Sequence, residues 1–239
     1  MQEVSNLYRQ ILAETNHWFE VSLVIGETGD GDSGYREDQL FSIQTNHRAF
    51  SEDTPTVGGA IAGEIDIQMI DPYVDIPKAA KLQLFTRVTD GTQSSEWLKK
   101  GVYYVDTREF TKNSDGLDVL TIHGYDAMLK FGQLYPSDNE HDYPLLDEDM
   151  VAFVAQVAGV TVDERTYEAM GRNYTFPLMT GYTSREVLGI IAASYGGNFI
   201  MSDEGKLLLL KLGSLPPETN YLIDEIGNSI LIGDDRILI

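Results

Sequence analysis

Cysteine is absent from this 239-residue chain, which excludes a disulfide framework and any thiolate metal site. Basic residues are scarce too: 17 Lys and Arg stand against 38 Asp and Glu, a formal net charge of −21. Affinity for nucleic acid comes from basic side chains that displace counterions from phosphates, and this sequence offers no basic patch. No apolar run approaches the ~20 residues a membrane helix needs, so the sequence reads as a soluble protein without membrane insertion. The opening residues, MQEVSNLYRQILAET, have neither a basic start nor an unbroken apolar stretch, and do not read as a signal peptide.

Catalytic signatures are missing as well. There is no GxSxG, no phosphate loop, no dinucleotide fingerprint and no HExxH. His17, His47, His123 and His141 are scattered, and each reads as a packed or surface histidine rather than a ligand. Asp30-Gly31-Asp32-Ser33-Gly34 looks like the start of a calcium loop, but the sixth and twelfth positions, which require Gly and Glu, hold Tyr35 and Phe41. It reads as a turn. Glu64 and Asp66 share one strand face, the geometry a carboxylate pair needs, with no partner to set them apart from an ordinary wet face. The expectation is a non-enzyme with no catalytic residue, no cofactor and no metal.

What is present is ordinary globular material. Hydrophobic residues make up 42% and aromatics 10%, enough for packed cores, and the length exceeds the roughly 100 to 150 residues of a typical domain. Two domains are expected, at 1–135 and 144–213, followed by short C-terminal strands at 214–239. The segment between them, QLYPSDNEHDYP, carries two prolines and dense charge without periodicity.

Val4, Leu7, Tyr8, Ile11 and Leu12 recur at helical spacing. Strands follow at 18–25, 40–45, 64–70 and 81–88, the last two alternating strictly. In 64–70, Ile65, Ile67 and Met69 form the buried face. Residues 102–109 and 117–123 alternate about the turn Lys112-Asn113-Ser114-Asp115-Gly116, with Gly124 ending the second strand, and Met128, Leu129 and Phe131 line a short helix. The fold class expected is α+β and β-rich, an antiparallel β-barrel-like domain followed by a smaller α+β domain.

In the second unit, Asp147 is placed to cap a helix bearing Met150, Val151, Val154, Val157 and Ala158, with Gly159 as its stop. Thr183-Ser184-Arg185-Glu186 fits a capping box. Val187, Leu188, Ile190, Ile191 and Tyr195 follow, with Gly196-Gly197 as the left-handed cap and a hairpin turning at 202–205. Three apolar beats at 221–223, 230–232 and 237–239 close the chain; they either pair within it or add to a neighbouring subunit.

The run from GVYYVD to LTIHGYDAMLK resembles the N-terminal hub domain of bacteriophage and prophage tail proteins. MQEVSNLYRQIL, SGYREDQLFSIQT, AGEIDIQMIDP and TSREVLGIIAASYGGNFIMSDEGKLLLLKL are similar to the same family, so the resemblance covers roughly 1–212. It implies a virion structural protein of the tail baseplate hub, synthesised in the bacterial host cytoplasm, a homotrimer or other cyclic ring that joins the tail tube to baseplate and tip proteins. Members often continue into a lytic domain, for which nothing after residue 212 leaves room.

The acid at 27–38 and 137–149 either forms solvated loops or lines a lumen through which DNA slides without sticking. Two other functions fit the sequence. One is a receptor- or carbohydrate-binding baseplate module using Tyr35, Tyr135, Tyr143, Tyr167 and Tyr182; the other is a tail-associated cell-wall hydrolase, for which no acid/base pair is found.

Overall fold

Strict alternation in residues 64–70 becomes a strand with Ile65, Ile67 and Met69 fully buried and Asp66 and Gln68 in solvent, since successive side chains of a strand point to opposite faces. The computed structural model describes residues 4–50, 54–70, 76–112, 116–136, 142–212, 231–232 and 235–236. Its elements are α1 Asn6–Ala13, β1 Trp18–Ile25, β2 Leu40–Asn46, β3 Glu64–Ile70, β4 Lys81–Thr89, β5 Leu98–Lys112, β6 Asp118–Asp126 and a 3-10 helix Ala127–Gly132. Then come β7 Leu145–Leu146, α2 Asp147–Val157, α3 Glu164–Ala169, β8 Thr175–Phe176, α4 Ser184–Ser194, β9 Gly197–Met201, β10 Leu207–Lys211, β11 Leu231–Ile232 and β12 Asp235–Arg236.

Strands β1 to β6 form one antiparallel sheet in the order β1-β4-β5-β6-β3-β2. The sheet curls into a half-barrel. Its two outer strands are β1 and β2, and the segment before β2 reaches back to β1, where Leu23 and Tyr35 exchange backbone hydrogen bonds of 2.9 and 2.8 Å. Leu23, Ile65, Ile67, Met69, Leu82, Tyr103, Leu120 and Ile122 fill the inside. A second core gathers Met150, Val151 and Val154 of α2, Val187, Leu188 and Ile191 of α4, and Phe199, Leu207 and Leu209 of β9 and β10. Met128, Phe131 and Tyr135, which follow β6, pack into that second core, as does Ala60. The fold is α+β and β-rich. Among the described residues, no helix is long and apolar enough to cross a membrane.

Several local expectations need correction. β5 begins four residues before Val102, and β6 runs through Gly124 to Asp126, because the ladder with β5 continues to Tyr103 opposite Asp126. The helix after it is 3-10, with Met128 and Phe131 buried and Leu129 turned to solvent; three residues per turn cannot keep all three on one face. Asp147 is the first residue of α2 rather than its cap, the cap position being Leu146 without a side-chain bond. Its carboxylate is buried instead, accepting from the Tyr195 hydroxyl and from the Tyr174 amide at 3.2 Å. Val157 is exposed, and Ala155 takes its place on the buried stripe.

The capping box is present as read: Thr183 Oγ1 accepts from the Glu186 amide at 3.2 Å, and Glu186 Oε2 accepts from the Thr183 amide at 2.7 Å. Helix α3 and the short pair β7–β8 had no periodicity long enough to announce them. His141, turn residues 113–115, and the apolar beats at 221–223 and 237–239 lie outside the described residues; β11 and β12 pair with each other.

Candidate functional site

The half-barrel and the β9–β10 hairpin meet along a seam that holds the buried side chains of Asn198 and Asp126. One side is a short parallel ladder. Residues 58–61, ahead of β3, run beside β9, with Gly58 N donating to Gly197 O at 2.9 Å, Phe199 N to Gly59 O at 2.8 Å and Ile61 N to Phe199 O at 2.8 Å. Asn198, fully buried, fastens this ladder: its Oδ1 accepts from Gly59 N at 2.7 Å, and its Nδ2 donates to Ala49 O at 2.8 Å and Thr56 O at 2.7 Å. Arg185 of α4 donates from Nε to Ala60 O at 2.6 Å.

At the other side of the seam, His47, just after β2, is hydrogen-bonded through Nε2 to the Tyr103 hydroxyl of β5. Asp126, at the end of β6, accepts from Gly63 N at 2.6 Å and from Met128 N at 2.9 Å, the latter capping the 3-10 helix. Burial pushes the Asp126 carboxyl up to about 6 against the hold of those two amides and of Arg185. Burial also depresses His47, with Asp203 pulling the other way, and raises Tyr103 above its ordinary value. The Tyr103 hydroxyl therefore keeps its proton at neutral pH.

Two adjoining cavities open here. The larger, about 400 Å³, is lined by His47, Arg165, Met201, Asp203, Glu204 and others; the smaller, about 200 Å³, includes His47, Ile61, Gly63 and Asp126. The hairpin turn seals against β5: Gly205 has φ +76°, and a Cβ there would lie 2.9 Å from Val102 Cβ.

No sequence pattern brings Asp126, Tyr103 and His47 together, because they come from three different strands' ends or middles. The one local hint is Gly124, which reads as the end of its strand and lies two residues before Asp126.

The acidic loop 27–38 is not simply solvated. Asp32 accepts from Trp97 Nε1 at 3.0 Å and from Arg36 at 3.1 Å, and it lies 3.6 Å from Arg87. The Arg87 guanidinium stacks 4.3 Å from the Trp97 ring centroid, and Arg36 lies at 5.4 Å. Gly31 sits so close to the indole that a Cβ would come within 2.2 Å of Trp97 Cγ. The Trp97 hydrogen bond first, with Arg87 and Arg36 behind it, holds the Asp32 carboxyl below its usual range. This loop is a clasp over Trp97.

The remaining candidates disperse. Asp66 pairs with His123 Nδ1 across the β3–β6 ladder at 2.7 Å, so the Glu64–Asp66 face is a charged sheet surface. His17 bonds the Glu14 carbonyl and packs edge-on to Phe19. Among the described residues, no group of three His, Asp or Glu is placed to hold a metal ion. Of the tyrosines offered as a binding surface, Tyr135 is buried, Tyr35, Tyr143 and Tyr167 are half-buried, and Tyr182 alone is exposed. Among the described residues, the exposed Trp and Phe side chains are Trp18, Phe19, Phe41 and Phe110, all on the half-barrel.

No family model matches the chain, and no curated protein matches it. Solved structures do. The 43 kDa tail protein of prophage MuSo2 from Shewanella oneidensis superposes with a TM-score of 0.53 at 14% identity, over 85% of this chain and 59% of that one. The fold is shared with a prophage tail protein. A tail protein from Neisseria meningitidis MC58 superposes with a TM-score of 0.47 at 14% identity, over 89% of this chain and 53% of that one. The chain thus spans less than two thirds of either protein's length. At such identity the likeness establishes the half-barrel and its α+β companion as a fold, while the seam, the clasp and the exposed aromatics are properties of this chain's own residues.

Proposed function

We propose that this chain is a non-catalytic structural component of a phage or prophage tail, part of a hub ring that joins the tail tube to the baseplate or tip. The observation that carries this reading is the architecture shared with the MuSo2 tail protein over 85% of the chain. In support, the clustered polar groups bind one part of the chain to another: Asn198, Asp126 and Asp147 spend their hydrogen bonds on backbone and side chains of this protein. Copies associate as a homotrimer or other cyclic ring, one heterologous interface repeating around an axis. The net charge of −21 suits a lumen that repels the phosphates of passing DNA. The protein is made in the host cytoplasm and ends in the virion tail.

The test is electron microscopy of particles carrying a gold-labelled affinity tag on this protein. The expected image has label at the distal end of the tail tube. Label spread along the tube, or particles without label, overturns the reading.

A further inference from the structure

Phe41 is the most exposed large apolar side chain among the described residues, at 72%. It lies on β2, the last strand in the sheet order, where the ladder with β3 shifts register between Leu40 and Ser42. A bulge of this kind leaves one residue without a counterpart on the partner strand and re-aims its side chain. Leu40 and Ile43 on either side pack against the half-barrel core, so the strand is anchored while the phenyl ring stands in solvent. Glu37, also exposed, lines the same hollow as Phe41, and the exposed Asp38 follows it. The result is an apolar knob with an acidic flank.

On the α+β unit, a groove of about 650 Å³ runs beside α4, where residues 57–58 cross the helix. A Cβ on Gly189 would lie 2.6 Å from Gly58 O, and one on Gly58 would lie 3.0 Å from Ala193 Cβ, so the crossing excludes larger side chains. Val57 and Tyr182, 52% and 46% exposed, border the groove together with Ile190. Apolar groups exposed in one hollow mark a docking surface. A second hollow begins at Ser184, next to Thr183 of the first, and is lined by Lys130 and Val157. Across the two hollows Lys130 and Arg185 outnumber Glu186, a balance of +1 on a chain of −21. Glu186 moreover spends its carboxylate on the Thr183 amide and hydroxyl. This face is suited to an acidic neighbour.

We propose that Phe41 of one copy docks in the α4 groove of a second copy, with Glu37 approaching Arg185 there. The chain itself supplies the matching partner: its knob is apolar and acidic where its groove is apolar and basic. A cavity of about 150 Å³ accommodates benzene, so a groove of about 650 Å³ takes the phenyl ring with the backbone beside it. The buried ring carries the affinity, and the charges set orientation between copies that otherwise repel. Knob and groove differ and sit on different units, which makes the contact heterologous and able to repeat around an axis. The inference rests on the tail-ring reading above and names the contact from which the ring is built.

Because the chain has no cysteine, any introduced thiol pair reports one contact. Ser42→Cys, which leaves the Phe41 ring in place, and Ala193→Cys are purified separately, mixed, oxidised and run on a non-reducing gel; both positions are exposed. The expected result is a crosslinked dimer in the mixture, with neither variant crosslinking to itself and no product from Ser42→Cys mixed with Glu168→Cys on α3. In parallel, Phe41→Asp keeps the wild-type melting curve, since the ring is in solvent, and lowers the light-scattering mass from oligomer to single chain. Glu37→Arg, with like charge facing Arg185, weakens association several-fold. A wild-type oligomer that forms no crosslink between positions 42 and 193, that survives Phe41→Asp, or that is unchanged by Glu37→Arg overturns this contact and leaves the ring reading standing. Self-crosslinking of either variant makes the contact isologous and overturns it as well. A single-chain mass for the wild type at high concentration overturns both.

Discussion

Asn198 joins the two cores with one side chain, filling three of its hydrogen-bonding positions on Gly59, Ala49 and Thr56. Replacing it with alanine takes the partner from the Gly59 amide and from the Ala49 and Thr56 carbonyls, at about 3 kcal/mol for the three bonds together. For a chain of this length that is a fall in Tm on the order of 10 °C, readable by calorimetry; a shift of a degree or less would show that water reaches those groups. Asp126 makes a different prediction. Its folded pKa of about 6 lies above the ordinary 3.8, so the folded protein holds the proton more tightly than the unfolded chain does. Its contribution to stability is therefore greatest below pH 4 and is lost as the pH rises through 6, by about 3 kcal/mol. Urea titrations should show wild type losing that much relative to Asp126→Asn between pH 4 and pH 7, whereas a constant difference would mean the carboxyl is hydrated.

Elements with their own periodicity were legible in the sequence, and those made by distant contacts were not. β1 and β3 were bounded to the residue, because turn residues and strict alternation mark both ends, and the box at Thr183 and Glu186 fixed the start of α4. β5 ran longer than its pattern, since Leu98 to Gly101 take their place from the neighbouring β4 ladder rather than from alternation. Tyr103 and Asp126 read as strand residues and as nothing more; only folding reveals that Tyr103 bonds His47 and that Asp126 shares a cavity with it. The facing of β3 can be checked by substitution. Ile67→Asp, placing an unpaired charge inside the half-barrel, should abolish cooperative unfolding, while Gln68→Asp on the opposite face leaves the melting curve within about 0.5 kcal/mol of wild type. The reverse order of effects would mean the two faces are exchanged.

For the whole molecule, charge opposes assembly. Copies carrying −21 each repel over a Debye length of about 10 Å at 0.1 M salt and about 3 Å at 1 M, so added salt should tighten self-association measured by sedimentation. Dissociation by salt would instead indicate an interface held by ion pairs. The parallel ladder of residues 58–61 on β9 also constrains the order of events at birth. Gly59 and its clamp Asn198 are 139 residues apart, and translation proceeds at roughly 5–20 residues per second. The nascent half-barrel therefore waits on the order of ten seconds on the ribosome with that flank unmatched, a window in which a chaperone or a sister chain could take the place of β9.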